Sequence, residues 1–201
     1  MSLARSDARL EDACAAGAAL YETRVDGFDG PTIVLGYHRV LPVIGPDPFR
    51  LGVASRSFEQ HLLRLKEAFR ILSAAEFTGD SPVDPRDGRP RLLLTFDDGY
   101  RDFYEWAYPL LWKHETPAVL FVSTGYVGSG RPFWWELLAS HAAVQGLPSG
   151  EVPALQRQFK STPAEARGAR EEQLLAALPP RERDRLGTLS PTWEMCAALD
   201  R

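Results

Sequence analysis

Short uninterrupted apolar runs alternate along this chain with stretches in which apolar residues recur every third or fourth position. The runs are Thr32–Tyr37, Leu92–Phe96 and Ala118–Val122. A run without polar alternation suits a strand buried on both faces, as in a parallel sheet covered by helices. Between the first two runs, Phe58, Leu62, Leu65 and Phe69 fall on one helical face. Ser57 and Gln60 have capping-box spacing, so that helix is expected to open at Ser57. Ile71-Leu72 predicts the start of a further short strand. Residues Asp102–His114 follow as a helix that Pro109 should kink or end midway. Strands separated by helices of this length predict βαβ units.

The flanks read differently. Leu10, Ala13, Cys14, Gly17 and Leu20 predict an amphipathic helix from about Asp7 to Arg24, and a turn-rich segment from Asp26 to Pro31 breaks it. Proline and glycine mark Leu41–Gly52 and Thr78–Arg91 as loops. After Gly128 the pattern is helical. Helices are expected over Phe133–Val144, from Thr162-Pro163 to about Leu178, and from Pro179-Pro180 to near Gly187. A last one opens with Ser190 as cap and Pro191 in the first turn.

Composition narrows the options. With 23 basic and 27 acidic side chains the net charge is −4, which argues against a nucleic-acid binder. The two cysteines, Cys14 and Cys196, form no CxxC and predict free thiols. No apolar run approaches the ~18 residues of a membrane span. Charges at Arg5, Asp7, Arg9, Glu11 and Asp12 precede the first apolar stretch, unlike a secretory leader, so a cytoplasmic location is expected.

Chemistry concentrates where the clearest strand ends. Leu92–Phe96 runs into Asp97-Asp98-Gly99-Tyr100. Loops at the C-terminal ends of parallel strands build active sites. Of two carboxylates there, one could hold a cation and the other act as general base on a water. The structural alternative has one Asp capping the next helix while its neighbour pairs with Arg101. His38, at the end of the first strand, lies on the side from which it could approach Asp98.

Thr95-Phe96-Asp97-Asp98-Gly99-Tyr100 resembles the first motif of the polysaccharide deacetylases, carbohydrate esterase family four. Gly36-Tyr37-His38-Arg39-Val40 resembles that family's first strand in its exopolysaccharide branch, and Phe58–Leu62 the helix after it. Pro117–Gly125 is similar to the strand after the motif, and Arg131–Leu138 to an insertion found in some members. The resemblance covers about residues 31 to 200. It implies an α/β fold, a partial (β/α) barrel of the polysaccharide-deacetylase type with a helical insertion over 128–190. Residues 1–30 would form a helical extension and residues 31–201 an incomplete deacetylase domain. It also implies metal-dependent removal of N-acetyl or O-acetyl groups from a polysaccharide, with Asp97 as catalytic base and Asp98 as ligand to a divalent metal, zinc by family habit. Tyr100 and His38 would lie beside the site. Trp134 and Trp135 would offer rings for saccharide stacking.

The resemblance has gaps. The family completes its metal site with two histidines four apart, whereas His38, His61, His114 and His141 include no such pair. The later motifs are also missing, so the expectation is the N-terminal portion of a deacetylase, impaired as it stands and prone to self-association through an exposed barrel edge. His61, His114 and His141 are read as structural or solvent-facing. A haloacid-dehalogenase-type phosphatase also places aspartates after a first strand, but separates them by one residue. A non-catalytic half-barrel that binds saccharide or a complementary protein fragment is the other alternative.

Overall fold

A computed structural model describes residues 19–23, 32–45, 47–84 and 87–199. Backbone contacts divide the chain into two units, residues 1–122 and 123–201. The first is a mixed α/β unit. Its sheet strands are β1 (Ala19–Thr23), β2 (Thr32–Tyr37), β5 (Arg70–Ile71), β6 (Arg91–Phe96) and β7 (Val119–Leu120), while β3 (Arg39–Leu41) and β4 (Gly52–Ala54) form a separate small pair. Helices α1 (Ser55–Ala68) and α2 (Ala74–Thr78) precede β6, and α3 (Tyr108–Lys113) follows it.

β6 is the axis of this sheet. β2 pairs with it in parallel over its full length, from Thr32 opposite Arg91 to Tyr37 opposite Phe96. β5 pairs with the start of β6 and β7 with its end, both in parallel. Because β6 has neighbours along both edges and helices nearby, its apolar run is buried, with Leu92, Leu94 and Phe96 fully so. The α1 face of Phe58, Leu62 and Leu65 packs into the same core. Tyr37 and Phe58 meet edge to face at 5.2 Å, and Phe96 and Phe103 at 4.7 Å. Such pairs contribute about 0.5–1.5 kcal/mol each beyond burial alone. This packing fixes the strand tips from which Asp97 and His38 emerge.

Several expectations need correction. The helix expected over residues 7–24, part of the supposed helical extension 1–30, fails where it can be checked. Ala19–Thr23 is strand β1, paired antiparallel with β2 from Ala19 opposite Gly36 to Thr23 opposite Thr32. An unfilled edge of β2 outweighs a weak helical periodicity. Residues 7–18 and the turn at 26–31 lie outside the described residues. The predicted loop Leu41–Gly52 is bounded by β3 and β4, paired in parallel from Arg39 opposite Gly52 to Leu41 opposite Ala54. Helix α1 begins at Ser55 with Ala54 at its N-cap and no side-chain cap, so Ser57 is not the cap. The capping box belongs to Ser73 and Glu76 on α2. Pro109 does not end its helix. A π-helical turn, Phe103–Ala107, precedes α3, and the Tyr108 N–H reaches back to the Phe103 carbonyl. The wide turn accommodates a residue that has no N–H to give. Among the described residues the strands do not close into a barrel.

The second unit is helical: α4 (Trp134–Val144), α5 (Val152–Lys160), α6 (Ala164–Ala176), α7 (Pro180–Gly187) and α8 (Trp193–Ala198). Leu137, Leu138, Phe159, Leu174, Leu178 and Leu186 form its core. Helix α5 had no sequence signal strong enough to be expected. The cap of α8 is Thr192, which accepts from the Met195 N–H, not Ser190. Pro191 stays outside the helix, its carbonyl accepting from the Gly128 N–H at 2.9 Å. No helix among the described residues is long and apolar enough to cross a membrane.

Candidate active site

The β2–β6 ladder continues one residue past the strands: the Asp97 N–H donates to the Tyr37 carbonyl at 2.8 Å. The backbone then reverses through two successive left-handed residues, Asp98 at φ 70° and Gly99 at φ 74°. Aspartate is among the few side chains that visit this region readily. At Gly99 only glycine fits, because a Cβ there would lie 3.0 Å from Val122 Cγ1 and 3.1 Å from Val122 Cα. The reversal leaves the carboxyl groups of Asp97 and Asp98 at the C-terminal tip of the central strand.

His38, one residue past β2, meets them there. Its Nδ1 lies 3.0 Å from Asp98 Oδ2, with the two side chains 25% and 23% exposed. The hydrogen bond to Asp98 raises the imidazole pKa above its ordinary value against the opposing effect of burial, and the charges of Asp98, Asp97 and Asp47 add to the rise. Asp97 is also pushed upward, first by burial and then by the Asp98 charge, with His38 opposing. A carboxyl whose pKa is raised is a stronger base in its ionised form. Arg101 pairs with Glu105 at 2.7 Å, so it does not fill the role the structural alternative gave it.

Tyr100 is 1% exposed and lies beneath the Arg39 guanidinium, whose carbon is 4.4 Å from the ring centre. It supports the loop from below. Arg39 Nε donates to Asp102 Oδ2 at 2.8 Å, and the Val40 N–H donates to Asp102 Oδ1 at 3.3 Å. Sequence reasoning missed Arg39 and Asp102, since only the fold brings positions this far apart together. Trp134 and Trp135 belong to the second unit. Trp134 stacks on Phe159 at 4.9 Å and Trp135 on Phe133 at 5.0 Å, so each ring has one face covered. His61 is buried against the Tyr37 hydroxyl, and His114 pairs with Glu59 at 2.8 Å. His141 sits on α4.

Zinc sites take three or four protein ligands. Among the described residues no group of three or more His, Cys, Asp or Glu side chains is arranged to hold a metal ion. Asp98 and His38 are a two-donor pair, and they do not by themselves fit a zinc centre.

Residues 84–159 match the Polysaccharide deacetylase family, a family of hydrolases. A stretch of 79 residues, 39% of this chain, is 33% identical to YxkH of Bacillus subtilis (strain 168), provisionally named a polysaccharide deacetylase, and covers 28% of that protein. Among solved structures, IcaB from Ammonifex degensii is 30% identical with a TM-score of 0.41, over 62% of this chain and 52% of that one. The deacetylase PplD of Streptococcus pyogenes, solved in complex with acetate, is 28% identical with a TM-score of 0.41, over 55% and 47%. The chain thus spans about half or less of the length of the proteins it matches. The segment that matches the polysaccharide deacetylase family, residues 84–159, includes both aspartates.

Proposed function

We propose that this chain carries the aspartate half of a hydrolytic site that removes N-acetyl or O-acetyl groups from a polysaccharide. The observation that carries the reading is Asp97: a carboxyl at the tip of the central strand, raised by burial, inside the segment that matches the family. In this reading Asp97 takes the proton of the attacking water. Asp98 is held beside it through one oxygen by His38, and a divalent cation there would need ligands beyond these two.

The test is acetate release from an N-acetylglucosamine oligomer or polymer with added zinc, comparing the chain with its Asp97→Asn variant. Release that Asp97→Asn reduces at least a hundredfold, on the order of a lost general base, supports the assignment. Equal release by both proteins overturns it. The shortage of metal donors favours a second reading, a non-catalytic half-site that binds saccharide or a complementary protein fragment. Saccharide binding by a chain that releases no acetate would select that reading.

A further inference from the structure

The segment after β2 tracks the loop after β6 almost residue by residue. The Tyr37 carbonyl takes the Asp97 N–H, His38 meets Asp98, Arg39 covers Tyr100 and grips Asp102, and the Val40 N–H ends on Asp102. Asp102 is nearly fully buried, and it stands where the helix begins. Its own backbone is already helical (φ −65°, ψ −22°), so its side chain is not placed as an N-cap. Its carboxylate reaches across to β3 instead. A buried carboxylate needs a partner of opposite charge and well-aligned donors, and Arg39 Nε and the Val40 N–H supply them. The Arg39 guanidinium is fixed in turn by the ring beneath it, and its backbone by an N–H that donates to the Leu51 carbonyl at 3.1 Å.

We infer that Arg39 and Asp102 are positioning residues, a buried clamp that holds His38 against Asp98 and keeps the left-handed Asp98-Gly99 turn in place. The clamp lies on the far side of the turn from the Asp97 N–H. Together the two attachments close both ends of the loop against the β2–β3 segment. The inference rests on the reading of Asp97 and Asp98 as the reacting end of the site, but its structural consequence can be measured without turnover.

The experiment is amide hydrogen exchange on the full chain, for wild type, Asp102→Asn and Arg39→Lys, with acetate-release kinetics on the same samples. Loss of a charge-assisted hydrogen bond is expected to speed exchange of the Asp97 and Val40 amides about tenfold in Asp102→Asn. The amides of Leu93 and Leu94 should keep their wild-type rates. Arg39→Lys retains the charge but loses the planar fork and the ring contact, so the same pattern should appear at smaller amplitude. In the kinetics, kcat should fall while KM holds. Unchanged Asp97 and Val40 amides, or acceleration spread equally to Leu93 and Leu94, overturns the clamp. Should Asp102→Asn not fold, Arg39→Lys decides by the same criterion. If wild type releases no acetate, the hydrolytic reading fails while the exchange data still decide the clamp.

Discussion

Replacing Gly99 by alanine tests the geometry of the aspartate loop with an internal control. Two costs fall on Gly99→Ala. Holding alanine at φ 74° costs about 1–2 kcal/mol. The new methyl would also stand 3.0 Å from Val122 Cγ1 and 3.1 Å from Val122 Cα, and the main-chain atom cannot swing aside as a side-chain tip can. Overpacking of that kind adds about 1–3 kcal/mol. Gly79, at the C-cap of α2, has a similar φ of 85°, but a methyl added there would have nothing within 4 Å. Gly79→Ala should therefore lose only the conformational part, about 1–2 kcal/mol. The difference between the two variants isolates the contact with Val122. Urea unfolding of both proteins measures it, provided the m-values agree. Equal destabilisation would refute the close approach of the loop to the end of the β7 segment.

Three further outcomes follow from the same geometry. Burial raises the Asp97 pKa, so its ionised form weakens the fold as pH climbs through that raised value; Asp97→Asn should unfold at higher urea than wild type at pH 7, and the gap should close at low pH. His38 has the opposite consequence: its raised pKa makes the contact with Asp98 stabilising below the unfolded value of about 6.5, and that stability fades as pH rises through the folded one. The stability difference between wild type and Asp98→Asn should thus shrink between pH 6 and pH 9, and a pH-independent difference would count against the pair. Trp112 is 67% exposed and Phe121 56%, the latter just past edge strand β7; sedimentation velocity should show self-association that Trp112→Glu with Phe121→Glu reduces, and a monodisperse wild-type monomer would contradict it.

The parts of this fold legible in the sequence are those where local pattern and tertiary demand coincide. β2, β6 and the buried face of α1 were plain because an uninterrupted apolar run, or a clean three-four spacing, has one economical use in a covered parallel sheet. Ala19–Thr23 misled because its apolar residues also fit a helical face, and the edge of β2 that decides the matter is remote in sequence. β3 and β4 were hidden because three-residue strands leave no period to read. The capping signal at Ser57 was wrong: that residue has the spacing, but its helix has no side-chain cap, and the capping box lies at Ser73 on another helix. At the site, Asp97, Asp98 and His38 could be named from their positions after strands. Arg39 and Asp102 could not, because their pairing depends on β2 and β6 lying in register.

That register also explains why departures from ordinary protein structure gather in one place. Asp98 has a left-handed backbone, Asp97 is a carboxyl held above its usual pKa, and Asp102 is a buried charge satisfied from another strand. Each alone costs stability, and all lie within six residues of β6's last apolar position. Local rules tend to be broken where a fold gives up stability for function. A loop serving only to connect β6 to its helix would need none of these features, since a glycine turn and a capping aspartate would do. Their concentration at the strand tip, stitched to His38 and Arg39, therefore argues for a site independently of the family resemblance. The geometry specifies which atoms are held ready and what holds them.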